Sequence, residues 1–200
     1  MKVFLISLPD SRKRRLLALQ NIRISGLPFE IVDGVEAKKL RDEWLPVGQT
    51  DYALLPGEIG CYAAHLRALQ RIVDYDLPWG YVLEDDFCYE ADPDYGLVEI
   101  ADVLPVAFDY IALFKCLRIN TRCQSFEESG AFRRLCETEY LATGYIAHRA
   151  FAEYVLQYHP LCEKPIDHLY AELSHIRNCF ETISPIVAIA PGLGSDIHDF

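Results

Sequence analysis

The chain has 200 residues, of which 51% are hydrophobic and 24% charged, and its formal net charge is −11. That length and composition suit one packed globular domain, residues 1–200, and exclude global disorder. The acid excess excludes a broad nucleic-acid interface, and no apolar run approaches the roughly 20 residues that span a bilayer.

Val3–Leu8 is a continuous apolar run. It predicts a strand buried on both faces rather than a secretory signal, for which it is too short and lacks a small-residue cleavage site. Pro9 breaks it, and Asp10 or Ser11 is placed to cap a helix whose buried stripe would be Leu16, Leu19 and Ile22, closed by Gly26. A second strand is predicted over Phe29–Val32. Residues 38–55 read as an irregular connection, long enough to face a substrate. Pro56-Gly57-Glu58 opens a helix with Ile59, Tyr62, Leu66, Leu69 and Val73 inward. The strand after Pro78 ends in Glu84-Asp85-Asp86. Asp94–Leu104 predicts a helix, Tyr110–Phe114 and Tyr145–Ala147 strands, Arg149–Tyr158 a helix, and Pro165 the start of another that runs to about Asn178. Ile186–Ala190 is a last strand. Strands alternating with helices predict an α/β domain with a largely parallel sheet, which binds ligands beyond the C-terminal ends of its strands.

Seven cysteines without C-x-x-C spacing predict free thiols in a reducing compartment, hence a cytoplasmic protein. No lipid-binding segment is evident in the sequence. Contact with the inner face of the cytoplasmic membrane is expected only as peripheral contact.

Glu84-Asp85-Asp86 falls at a strand tip, and no Lys or Arg occurs between Leu83 and Lys115. Such a field repels bare phosphate, so a phosphate ligand here needs an intervening cation. Carboxylate oxygens suit Mg²⁺ or Mn²⁺. The bland alternative is a turn capped by Asp85 and Asp86. Gly60, Ala63 and Ala64 give the second helix a thin surface that a backbone or ligand can approach, with His65 beside it as a core histidine or a ligand contact. Asp167 is expected at a helix N-cap, where it would cap, act as a general base, or do both. Arg14 and Arg15 would meet a diphosphate or form a solvated face. Asp196 and His198 are a frayed tail or late metal ligands.

In order and spacing these motifs resemble glycosyltransferase family 25, which includes bacterial lipooligosaccharide galactosyltransferases and, distantly, collagen galactosyltransferases. The resemblance rests on Val3–Leu8 with Arg14-Arg15, Pro56–Cys61 with His65, Val82–Asp86, Thr143-Gly144-Tyr145 and Pro165–Asp167. It implies a GT-A-like, Rossmann-like fold and inverting transfer of a hexose, usually galactose, from a UDP-sugar to a hydroxyl of a glycan or glycolipid acceptor, with a divalent metal, Mn²⁺ or Mg²⁺. Ser7, Leu8, Arg14, Arg15, Gly60, His65, Glu84, Asp85, Gly144 and Tyr145 would then face the donor. Asp86, Asp85 and His198 would hold the metal, and Asp167 would be the base. The chain departs from the family pattern at Ala64 and Ala147, where Ser is common. A non-catalytic sugar- or protein-binding relative and a metal-dependent phosphohydrolase are the rival classes.

Overall fold

The computed structural model describes residues 1–36, 47–91, 94–114, 128–135 and 142–193, with the backbone alone at 128–129. In chain order its strands and helices are β1 (Val3–Ser7), α1 (Arg12–Ser25), β2 (Phe29–Asp33), α2 (Pro56–Asp74), β3 (Trp79–Glu84), β4 (Phe87–Tyr89), β5 (Tyr110–Ala112), β6 (Glu128–Ser129), β7 (Phe132–Arg134), β8 (Gly144–His148), α3 (Arg149–Tyr158), α4 (Ile166–Ser174), β9 (Cys179–Thr182) and β10 (Val187–Ile189).

The fold is α/β. One sheet runs in the order β2-β1-β3-β8-β5-β9-β7-β6. Along its pairings, β2, β1, β3, β5, β9 and β6 point one way and β8 and β7 the other. β1 is fully buried along its length, as its uninterrupted apolar run requires. The chain steps from β1 outward to β2, then back past β1 to β3. Right-handed crossovers therefore put α1 and α2 on opposite faces and open a crevice at the C-terminal ends of β1 and β3. β10 pairs antiparallel with β4 in a small second sheet just beyond that crevice.

The α1 stripe differs from expectation. Ala18 and Ile22 are buried and Leu19 packs on the core, but Leu16 is 57% exposed. Only a narrow seam of α1 meets β1 and β4, so Leu16 falls outside it. Gly26 closes the helix in the left-handed conformation, φ 69°. In α2, Glu58 reaches back to the Leu55 N–H (2.7 Å), half of a capping box.

Asp94–Leu104 forms only a 3₁₀ turn, Glu99–Val103. Its anchors are Leu97 and Ile100, while Val98 and Val103 face outward, too little burial to hold a longer helix. α4 stops at Ser174 rather than near Asn178. The Asn178 N–H goes instead to Asp109 Oδ2 (2.9 Å), which starts β9. Of the described cysteines, Cys61, Cys88, Cys162 and Cys179 are free thiols, and Cys162 and Cys179 are buried. Among the described residues no helix is long and apolar enough to cross a membrane.

Gly60 is where α2 passes closest to the chain leaving β2. A Cβ there would lie 2.5 Å from the Val35 carbonyl oxygen. Gly60→Ala is therefore expected to destabilise the fold by about 1–3 kcal/mol, as overpacking does. An unobstructed helical Gly→Ala change would instead stabilise it by about 1 kcal/mol. Urea unfolding separates the two by sign.

Candidate active site at the C-terminal edge of the sheet

Register assembles the site. Parallel pairing sets Ile6 against Glu84 and Ser7 against Asp33, so three strands end together. The two aspartates just past the end of β3 are thereby brought beside Ser7. The Ser7 hydroxyl donates to Asp85 Oδ2 at 2.6 Å, and Asp85 Oδ1 lies 2.7 Å from Arg14 Nη2. Asp85 is 4% exposed. Both of its oxygens are thus engaged by the protein, tying the acidic tip to β1 and α1.

Arg14 also reaches Asp86 Oδ2 at 3.3 Å. Arg15 donates to Ser7 Oγ (3.1 Å), to the Ser7 carbonyl (3.0 Å) and to Asp33 Oδ1 (2.8 Å). Cationic side chains at the start of a helix oppose its dipole. Here the carboxylates at the strand ends supply the compensation for Arg14 and Arg15. Leu8, partly buried, packs over Gly34, where a Cβ would lie 3.0 Å from the Leu8 Cδ2.

Glu84 is oriented from α2. Its Oε1 takes hydrogen bonds from His65 Nε2 (3.2 Å) and from the Cys61 thiol (3.5 Å). Cys61 and His65 are four apart and share a helix face. Behind them, His65 Nδ1 meets the Tyr145 hydroxyl at 2.9 Å, which meets the Tyr170 hydroxyl at 3.0 Å. His65 and Tyr145 are fully buried. They act on the cleft through Glu84, and Tyr145 has no surface of its own there. Gly144 is needed for packing, because a Cβ would come within 2.7 Å of Val187 Cγ2 on β10.

Burial pushes the Glu84 carboxyl up, but the His65 contact, the Cys61 thiol and Arg14 outweigh it, and the net shift is downward. Asp86 goes the other way. Burial first, then the charges of Glu84 and Asp85, push it up to about 7 against the pull of Arg14. Its Oδ1 is buried without a hydrogen-bond partner among the described residues. A buried carboxylate oxygen left bare costs free energy unless something charged meets it. Asp86 therefore fits a hard cation better than Asp85 does, and Glu84 stands next to it. A second donor set shares Glu84: the Cys61 sulfur, a His65 nitrogen and a Glu84 oxygen lie within 4.8 Å of one another.

Asp167 lies in the first turn of α4, not at its N-cap, which is Pro165. Its Oδ1 accepts the His168 N–H at 2.9 Å. Burial raises its carboxyl, and the charge of Glu84 adds to that. Asp167 in turn helps raise the Cys61 thiol, which burial and Glu84 already hold well above its ordinary value. The start of α4 and the acidic tip therefore share one electrostatic neighbourhood. His198 and Asp196 lie outside the described residues. Sequence reasoning passed over Tyr170, whose signal was its place one helical turn after Asp167, and Asp33 at the end of β2.

The sequence model of "Glycosyltransferase family 25 (LPS biosynthesis protein)" matches residues 1–170. The human inactive glycosyltransferase 25 family member 3 is 34% identical over 102 residues, 46% of this chain and 17% of that protein. Human procollagen galactosyltransferase 2 is 28% identical over 112 residues, 50% and 18%. The lipooligosaccharide biosynthesis protein lic2B of Haemophilus influenzae is 28% identical over 100 residues, 48% and 37%. The chain thus spans well under half the length of these relatives. A solved structure of the galactosyltransferase LgtC with donor and acceptor sugar analogues aligns over 90% of this chain and 73% of its own, at 12% identity and a TM-score of 0.42. With its first 170 residues matched by that family's sequence model, the chain belongs to glycosyltransferase family 25.

Proposed function

We propose that this chain transfers a hexose, galactose in the first instance, from a UDP-sugar to a hydroxyl of a glycan acceptor with inversion at the anomeric carbon. The observation that carries this reading is the pairing of two carboxyls with opposite tasks. Asp86 keeps a bare buried oxygen for a cation, and Asp167 stands raised and partly buried at the start of α4 in the same neighbourhood. A bound Mn²⁺ or Mg²⁺, held by Asp86 with Glu84, would neutralise the diphosphate of the donor. Arg14 and Arg15 hold the ends of β1 and β3 together beneath it through Ser7 and Asp85. His65 and Cys61 fix the Glu84 carboxylate.

In the transfer itself, Asp167 takes the proton of the acceptor hydroxyl as that oxygen forms its bond to the anomeric carbon. The bond from that carbon to the UDP oxygen breaks on the opposite face, and UDP leaves with the electron pair. Charge at the sugar resembles the oxocarbenium character of glycoside hydrolysis. A lipooligosaccharide acceptor is the first to try, since a 28% identical relative carries that role in its name.

A second reading is a non-catalytic member that binds a sugar nucleotide, favoured by the 34% identical relative named inactive. Titration of UDP-galactose and UDP-glucose with and without Mn²⁺, then measurement of UDP release, decides between them. Cation-dependent binding with turnover, even hydrolysis alone, supports the enzyme. Binding without UDP release from either donor, with lipooligosaccharide present, supports the binder.

A further inference from the structure

From α1 we infer a docking surface for an anionic lipid bilayer, beside the acidic cleft and independent of whether the cleft transfers a sugar. Leu16, Leu17 and Ile24 are 57%, 39% and 78% exposed, so three aliphatic side chains stand in water on a single helix. At 100° per residue they share one side with exposed Arg12, Lys13 and Arg23, all within an arc of about 140°. α1 contains no acidic residue, in a chain with 30 of them.

The charge pattern calls for an anionic partner. Four consecutive basic residues at the start of a helix oppose its dipole. Arg14 and Arg15 find Asp85, Asp86 and Asp33 at the strand ends, whereas Arg12, Lys13 and Arg23 form no ion pair with a described residue. Aliphatic tips interleaved with unpaired cations match the boundary between headgroups and acyl chains. A nucleic acid offers the charge without the apolar layer, and an apolar protein groove offers the reverse. The overall charge of −11 does not forbid contact, because at physiological salt charges farther than about 8 Å from the surface are screened. Because Arg14 on the same helix reaches into the cleft, a bilayer on this face would lie next to the cleft's edge. α1 is thus the lipid-facing segment that the linear sequence does not reveal, since Leu16 reads there as part of a buried stripe and Leu17 and Ile24 belong to no stripe.

The test is co-sedimentation of the whole chain with phosphatidylcholine vesicles, with and without phosphatidylglycerol. The expected result is binding to the anionic vesicles alone, weakening as salt rises. Arg23→Glu should lower the partition coefficient by roughly fivefold or more, the order expected for losing one interfacial cation. The double variant Leu16→Glu with Ile24→Glu should abolish binding while circular dichroism and the urea midpoint stay at parental values, since both side chains are exposed. A parent chain that stays in the supernatant with anionic vesicles overturns the proposal. So does a double variant that still sediments, or a parent that binds both vesicle types equally. Concentration-dependent dimerisation broken by Leu16→Glu, without vesicle binding, would assign the face to a second copy and overturn it as well.

Discussion

Asp167→Asn is expected to lower turnover by about 10²–10⁴-fold, the usual contribution of a placed general base, while UDP affinity stays near that of the parent. The substitution is nearly isosteric. Its side-chain oxygen can still accept the His168 N–H that holds Asp167 in the first turn of α4, so the helix start should survive. Only basicity is lost. Burial and the neighbouring Glu84 raise the Asp167 carboxyl, which makes it a stronger base than a solvated aspartate. The pH dependence therefore has a definite sign. The base form disappears as pH falls through a value above 3.8, so the acid limb of the rate profile should lie above that of an ordinary aspartate. Steady-state rates across pH, with UDP binding by calorimetry, check both parts. Turnover within a few-fold of the parent would put the base elsewhere.

Asp86→Asn is expected to have two opposite effects. In the absence of cation it should stabilise the fold at neutral and alkaline pH. Asp86 binds its proton more tightly folded, at about 7, than an unfolded aspartate does near 3.8. Ionising it in the native state therefore costs stability, a cost that begins above about pH 4, grows to about pH 7 and is then complete. Asparagine removes it, and the gain should vanish below about pH 4. Arg14 keeps its 2.7 Å partner in Asp85, so the ion pair at the strand ends survives the change. For a chain of this length each 1 kcal/mol appears as roughly 2–4 °C in Tm. With Mn²⁺ the order should reverse. The parent should gain Tm and UDP affinity, more so as pH rises toward about 7 because the ion must displace a proton, and Asp86→Asn should gain neither. A parent whose UDP affinity ignores Mn²⁺ would remove the cation from the account.

Much of the frame was legible because its signals were local. The apolar run of β1, the Pro-Gly-Glu start of α2 and the periodicity of α3 each depend on residues close in sequence. β4 was not legible, since Phe87–Tyr89 is short and its partner β10 lies about a hundred residues on. β9 was hidden by its mixed composition, Cys-Phe-Glu-Thr, directly after a helix whose sequence pattern runs on past its true end at Ser174. Exposure of Leu16 could not be read either, since periodicity reports which residues share a face but not how wide the covered seam is.

The site divides the same way. The acidic strand end was visible in one dimension, but the division of labour within it was not. That Asp85 is spent on Ser7 and Arg14 while Asp86 keeps a bare oxygen depends on strand register. Gly60 and Gly144 were read as donor-facing. The atoms that crowd them are the Val35 carbonyl and the Val187 side chain.

The central place of β1 also bears on how the molecule comes into being. Its two neighbours are separated from it by very different stretches of chain, Val3 meeting Phe29 on one side and Tyr81 on the other. The contacts that define the cleft are of the longer kind: Ser7 to Asp85 spans 78 residues and His65 to Tyr145 spans 80. Contacts of such separation close against a large loop entropy and are made late and slowly. The β1-α1-β2 unit can form early, with its arginines ready but their carboxylate partners beyond β3 still absent. The cleft thus has no assembled precursor within any short segment, and the ability to bind ligand should be acquired only in the last cooperative step of folding.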